Sequence, residues 1–379
     1  MRIAQYSWSD GAGWRRTGGD DAAGAQAVFY FSAPDAWLHA DPYGSLSVLY
    51  PDAHVIGCTT GGEILGEDVQ DHSVVATAVA FDHVRVSVAT ALIGDGLQSQ
   101  QGGRALAQDL PADGLRAVFV LSDGMRTNGS ALIAGLREVL PEDVVITGGL
   151  AGDGADFRST YVGCDGPLRQ GLAVALGLYG DRLRVGWGSF GGWDRFGPER
   201  QITRSAGNVL YELDGEPALA LYKRYLGDEA QNLPGSALLF PLTVRPPADE
   251  HSALVRTIVG VDEVTQSLTF AGDIPQGWVA QLMRGSADGL TDGAANAGMA
   301  ARGMAAASGP TLSLLVSCIG RKLLMGQRVV DEVEAVAETL GAGNFQTGFY
   351  SYGELAPHRF TGRCELHNQT MTVTTIGES

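Results

Sequence analysis

Gly57-Cys58-Thr59-Thr60-Gly61-Gly62-Glu63-Ile64 and Gly348-Phe349-Tyr350-Ser351-Tyr352-Gly353-Glu354-Leu355 share one template, Gly-x-x-(Thr/Ser)-x-Gly-Glu-(Ile/Leu). Each closes a similar unit. An apolar run, Val28-Phe29-Tyr30-Phe31 or Leu312-Ser313-Leu314-Leu315-Val316, ends at Ser32 or Ser317. A helical stretch follows, and a second strand-like run leads into the Gly-Glu turn. The same order of strand, helix, strand, glycine turn and carboxylate at both ends predicts two related halves, each presenting one Glu at the mouth of a strand. The competing explanation is coincidental turn chemistry in a chain where Gly and Thr are common.

The chain has 379 residues, more than one core usually serves, so two domains are expected, at 1–190 and 191–379. The stretch Gly188–Arg200, rich in glycine and charge, marks the boundary. In the first half short β-rich runs alternate with helical ones: strands at Ala27–Phe31, His54–Gly57, Arg116–Leu121 and Val144–Thr147, helices at Pro34–Leu49, Leu97–Leu110 and Ser130–Leu140. Runs Ser73–Phe81 and Val84–Thr90 read as a hairpin turned at Asp82-His83, which makes the sheet mixed and disfavours a Rossmann domain. In the second half, Ser286–Met304 is rich in Ala and Gly and reads as a thin helix lying tightly on a sheet; strand Leu312–Ser317 and helix Gly320–Leu340 follow. The fold class predicted is α/β (α+β): two pseudo-repeated lobes of mixed β-sheets covered by helices, sandwich-like.

Composition narrows the function. Apolar residues make up 45% and charged residues 18%, with no apolar window long enough to span a bilayer. The start, Met1-Arg2-Ile3-Ala4-Gln5-Tyr6, carries no basic-then-apolar signal, so a cytoplasmic location is expected. A net charge of −17 repels phosphate backbones and anionic lipid headgroups, which argues against nucleic acid and membrane surfaces as partners. Four Cys without a C-x-x-C pair point to neither a disulfide framework nor a zinc knuckle.

No catalytic set emerges. The seven His lack H-x-x-x-H or H-E-x-x-H spacing, and no G-x-S-x-G elbow occurs. Gly61-Gly62-Glu63-Ile64 lacks the second carboxylate that phosphoryl chemistry on a Gly-Gly-(Asp/Glu)-Glu-Phe signature would need. The run Gly148–Gly154 follows a strand but opens no helix, so it is a weak phosphate signal and otherwise a close-packed turn. Arg321, where a strand hands over to a helix, lies near strand ends, the usual place for ligands in open sheets. Two readings of it stand: a clamp with the glutamates on a small zwitterion, or a structural ion pair with Glu354. The candidate ligand-binding residues are Glu63, Arg321, Tyr350, Tyr352, Glu354 and Asn368. Histidine can also hold haem iron, which makes His367 the first and His54 the second candidate axial ligand. An enzyme using Glu63 and Glu354 as acid and base is the alternative of a different class.

These residues resemble the FIST family of sensory proteins, which pairs an N-terminal with a C-terminal FIST domain. The resemblance rests on Val55–Ile64, Leu121-Ser122-Asp123-Gly124 and Thr147–Asp153 in the first half. In the second it rests on Ser317-Cys318-Ile319-Gly320-Arg321, Gly348–Pro357 and His367-Asn368-Gln369-Thr370. It implies a non-enzymatic ligand-binding signalling module, proposed for the family to sense small molecules such as amino acids. One branch consists of haem proteins that sense nitric oxide and regulate a partner histidine kinase or cyclic-di-GMP enzyme. The tail Cys364–Thr372 resembles that branch, so the resemblance favours haem as cofactor and such an enzyme as protein partner, and a homodimer is compatible with it.

Overall fold

The computed structural model describes residues 1–94, 98–305 and 307–379, and their strands form four sheets. Three sheets repeat one plan: a first strand parallel to a second, a closing strand antiparallel to the first, and an opening strand outside the closing one. The first unit, in that order, uses Ala27–Ser32, His54–Thr59, Val74–Ala80 and Arg2–Ser9. The second uses Leu115–Ser122, Val145–Leu150, Leu172–Tyr179 and Arg85–Leu92. The third uses Thr311–Cys318, Asn344–Ser351, Met371–Glu378 and Leu183–Phe190. The two Gly-Glu units predicted from sequence are therefore the first and third of three, and the fold is a mixed α/β arrangement of sheets and helices.

Each unit also sends a short strand to a neighbour's edge. Glu63–Leu65 of the first unit pairs with Asn344–Ser351 of the third. Gly353–Pro357 of the third pairs with Val145–Leu150 of the second, and Val162–Cys164 of the second pairs with His54–Thr59 of the first. The exchange closes on itself. Where the chains cross, Gly61 N donates to Tyr350 O at 2.7 Å, Gly152 N to Thr59 O at 3.0 Å, and Tyr352 N to Leu150 O at 3.1 Å. These equivalent bonds form a ring about an approximate threefold axis.

The parallel pairs share a glycine at one register position: Tyr30 opposite Gly57, Val120 opposite Gly148, and Leu315 opposite Gly348. A Cβ on these glycines would stand 2.2, 2.0 and 1.9 Å from the partner's carbonyl oxygen. Only glycine allows strands to approach this closely. The sheets then pack face to face through aromatic contacts between units: Phe29 edge-on to Phe119 at 5.8 Å and Phe31 stacked on Phe349 at 4.8 Å. The helix Ala287–Met304, capped by the Ser286 hydroxyl, lies against the third sheet as its small residues predict. A Cβ at Gly186 or Gly188 of the underlying strand would meet Ala301 O at 1.9 Å or Ala297 O at 2.1 Å.

Residues 193–285 make the fourth sheet, with their own core around Ile202, Leu210, Tyr222 and Phe270. Strands cover most of Gly188–Arg200: Leu183–Phe190 ends within it and Trp193–Ala206 begins there. No helix among the described residues is long and apolar enough to cross a membrane.

Several local expectations change. The runs predicted as a hairpin at Asp82-His83 do not pair: Val74–Ala80 belongs to the first sheet and Arg85–Leu92 to the second. The turn between them is held by a distant carboxylate, Glu378, which accepts from the amides of Asp82, His83 and Val84 at 3.0, 2.6 and 3.0 Å. The helix expected over Pro34–Leu49 is two, Trp37–Ala40 and Pro42–Leu49, because Asp41 turns left-handed at φ 40° and caps the second one before Pro42. Leu97, the expected start of another helix, lies outside the described residues; that helix runs Ser99–Asp109. The long helix over Gly320–Leu340 is interrupted at Gly326, φ 55°.

Candidate ligand site

The template places its two glutamates in equivalent positions. Glu63 pairs with Phe349 and Glu354 with Gly149, each on the edge strand that one unit gives to another. Both are fully buried. Each carboxylate takes a hydroxyl from its own turn, Thr60 Oγ1 to Glu63 at 2.5 Å and Ser351 Oγ to Glu354 at 2.9 Å. A second hydroxyl comes from the residue before the closing strand: Ser73 Oγ to Glu63 at 2.7 Å and Thr370 Oγ1 to Glu354 at 2.9 Å. The Thr/Ser of the template is thus the glutamate's own hydrogen-bond donor. Burial pushes the Glu63 carboxyl up to about 7 and that of Glu354 up to about 8, against the opposing pull of these donors.

The glutamates, both without exposed surface, differ in surroundings. Glu63 lines a pocket of about 320 Å³ with Asp35, Asp71, His72, Asp153 and Asp156, whereas Glu354 is enclosed by Ser351 and Thr370. The two stand in different sheets, and no described residue hydrogen-bonds to both.

Arg321 pairs with neither. Its Nε and Nη2 reach Glu332 Oε2 at 2.9 and 2.6 Å, and its other contacts are the carbonyls of Gly191, Leu290 and Gln369. Glu332 also accepts from Tyr350 Oη at 2.8 Å and Ser317 Oγ at 3.0 Å. Arg321 and Tyr350 therefore close a buried network, a partner set that sequence spacing alone does not reveal because Glu332 sits on the following helix. His54, the second haem candidate, pairs with Asp165 at 2.7 Å and is half-exposed. Asn368 is buried with neither end of its amide hydrogen-bonded.

Tyr352 does face a cavity. Its ring stacks on Phe157 with centroids 4.5 Å apart and planes 14° apart, and its hydroxyl donates to Asp153 and to Gly154 O, the latter at 3.0 Å. Behind this pair lies a cavity of about 350 Å³ between the ends of the second and third units and the fourth sheet. Leu150, Phe157, Leu238, Phe270 and Ile319 give it an apolar wall, and no charged side chain lines it. Besides Tyr352 and Cys318, its polar side chains are Thr127, Thr257 and Asn208. Of these, Thr127 bonds to Ser122 and Asn208 to Phe270 O, but the buried Thr257 hydroxyl has no partner. Leu150 and Tyr352 also belong to the ring of crossing chains, so the cavity sits on the junction of the units.

The profile of the FIST N domain matches residues 26–216, and that of the FIST C domain matches residues 218–357. The chain belongs to the FIST family. FIST domains are associated with small-ligand sensing in signalling. No curated protein matches this FIST chain. Among solved structures, a cyanuric acid hydrolase from A. caulinodans aligns over 100% of the FIST chain and 99% of its own at 10% identity, with a TM-score of 0.31, too slight a likeness to bear on chemistry.

Within the FIST chain, two aspartates that sequence reasoning quoted only as part of family motifs have structural roles. Asp123, buried after the second unit's first strand, holds the amides of Met125, Arg126 and Gly171 and the Thr160 hydroxyl. Asp153 holds the amides of Phe157, Arg158 and Ser159 and so shapes the loop that presents Phe157 to Tyr352. The signal for both was present: the run Ala117–Leu121 also ends at a serine, Ser122, marking a third unit whose turn carries Asp where the others carry Gly-Glu.

Proposed function

We propose that this FIST chain is a non-enzymatic sensor that holds a small, uncharged, partly apolar molecule in the cavity between Phe157–Tyr352 and the fourth sheet. The observation carrying this reading is the Thr257 hydroxyl, buried and unpartnered in a lining without charged side chains. Buried hydroxyls find partners, and a ligand carrying one acceptor or donor supplies it. A zwitterionic amino acid suits this cavity less, because no charged side chain lines it and Arg321 is held by Glu332. Since the cavity is walled by three separate parts of the chain, a ligand that binds one arrangement of them better than another shifts the population. The changed surface would be read by a separate signalling protein, such as a histidine kinase or a cyclic-di-GMP enzyme.

Thermal-shift screening against neutral metabolites tests it. A ligand raising the melting temperature in wild type and losing that effect in Thr257→Val and Tyr352→Ala supports the reading. A ligand whose effect survives both substitutions refutes the placement.

Haem on His367 is the second reading. His367 is a neutral imidazole, pushed down to about 3 by burial, and it lines a separate cavity beside Arg195 and Arg359, cations of the kind that pair with propionates. Bound haem would supply an iron that takes up a diatomic gas. That cavity measures about 270 Å³, below the roughly 300–1,000 Å³ of drug-sized sites, which is why the first reading is preferred. Haemin titration decides: a Soret band lost in His367→Ala favours haem, and no band refutes it.

A further inference from the structure

The cavity beside His367 has a chemistry of its own. It is bounded by the end of the third unit's opening strand, the fourth sheet and the loop after Gly353–Pro357. Arg195 and Arg359 stand exposed at it, in a chain whose net charge is −17. Among the described residues neither arginine makes an ion pair; Arg359 instead lies over the rings of Phe190 at 5.3 Å and Phe360 at 4.4 Å. Its cationic plane is thus positioned without being neutralised.

Two of its lining residues carry a buried polar atom without a partner: Ser189 Oγ and His358 Nδ1. The tautomer of His358 follows from geometry. Its Nε2 faces the carbonyl of Ala253 at 3.3 Å, and a carbonyl only accepts, so Nε2 carries the proton and Nδ1 presents a lone pair. His367 is held in the same way, Nε2 to Ala356 O at 3.0 Å, and its ring lies parallel to that of His358 with centroids 6.0 Å apart. Burial holds the His358 imidazole below its usual range; the Ala253 carbonyl pulls the other way, Arg359 lowers it further, and Asp249, itself held by Ser252 and the amide of His251, raises it.

Two unneutralised guanidinium groups call for negative oxygens. A serine hydroxyl offers one further donor, and an imidazole lone pair calls for a proton on the ligand. We propose that this cavity binds a small protonated oxyanion, inorganic phosphate or a phosphomonoester, with Arg195 and Arg359 on its charged oxygens, Ser189 donating to it, and His358 Nδ1 accepting its O–H. Two threonines also line it, Thr243 and Thr370, and the Thr370 hydroxyl is committed to Glu354. The volume of about 270 Å³ suits a ligand of this size. This inference does not rest on the neutral-ligand cavity, which shares no lining residue with it.

Calorimetric titration with inorganic phosphate, and separately with glycerol 3-phosphate, at constant ionic strength tests it; the quenching of Trp193, which lines the cavity, gives a second readout. Saturable one-site binding with a dissociation constant of about 1 mM or tighter is expected. Arg195→Gln and Arg359→Gln should each weaken it about tenfold or more, and Ser189→Ala less. Both arginines are exposed, so these variants keep the fold, which circular dichroism verifies. Tighter binding of glycerol 3-phosphate assigns the site to a phosphomonoester, and tighter binding of inorganic phosphate to the free ion. Absence of saturable binding of either probe, or binding unchanged in both arginine variants, overturns the proposal.

Discussion

Arg321 and Glu332 form an ion pair in which both side chains are fully enclosed, 2.6 Å apart. The pair is completed by Tyr350 and Ser317 on the carboxylate and by main-chain carbonyls on the guanidinium, so every charge is matched. Removing one partner leaves the other charged and dry, which costs about 3–5 kcal/mol. Glu332→Ala and Arg321→Ala should each lower the urea midpoint accordingly. A joint Arg321→Met, Glu332→Leu variant should recover much of the loss, because it leaves no stranded charge.

Alanine at Gly57, Gly148 or Gly348 forces a Cβ against a neighbouring strand's carbonyl at about 2 Å. Each should destabilise by about 3 kcal/mol, at the upper end of overpacking, with similar effect at Gly57 and Gly348 and a larger one at Gly148, whose φ of +140° adds a backbone cost. Gly66, φ 60° with open space around it, is the control: the same change there meets only the left-handed backbone cost. Melting temperatures ordered otherwise would count against the equivalence of the units.

Glu354 has a pH signature. Its folded carboxyl is raised to about 8 from an ordinary value of 4.5, so between these values the folded state binds more protons than the unfolded one. Stability from this group therefore falls as pH rises from about 5 to 8, by an amount on the order of a few kcal/mol. Glu354→Gln, which keeps the shape and stays neutral, should flatten this slope and exceed wild type in denaturant midpoint at pH 8. A variant parallel to wild type across that range would rule the account out.

Glu378 should behave in the opposite sense. Three amides and the amino terminus hold its carboxyl below the usual carboxylate range, against the effect of burial. Its contribution is present above the ordinary carboxylate value and is lost as pH falls through the lowered one. Glu378→Gln should cost about 1–3 kcal/mol at pH 7 and little at pH 3. Comparing the two glutamine variants in one pH series separates the effects.

Much of this architecture was legible in local pattern. The apolar runs ending at Ser32 and Ser317 and the Ala/Gly helix Ala287–Met304 speak through neighbours a few residues away. What stayed hidden is set by distant partners. The Asp82-His83 turn resembles a hairpin turn because the carboxylate organising it is Glu378, 296 positions from Asp82. Arg321 read as a ligand clamp because its position near a strand end is visible, while the Glu332 that neutralises it is one acid among several on a helix. Tyr352 faces a cavity and Tyr350 a closed network although they are two positions apart, because strand Asn344–Ser351 ends between them and the chain bends at Tyr352 before Gly353–Pro357 begins. The site residues Phe157, Thr257 and His358 belong to loops or strand junctions with no periodicity to mark them.

The circular hand-over of edge strands has a cost during synthesis. Glu63–Leu65 reaches its place only beside Asn344–Ser351, so a ribosome must release nearly the whole polypeptide before the third sheet's edge is sealed. Until then the early strands offer unpaired amides and carbonyls to any passing chain. Truncation before Asn344 should consequently yield aggregates rather than a smaller folded body, and slow maturation assisted by chaperones is the expected route to the native state.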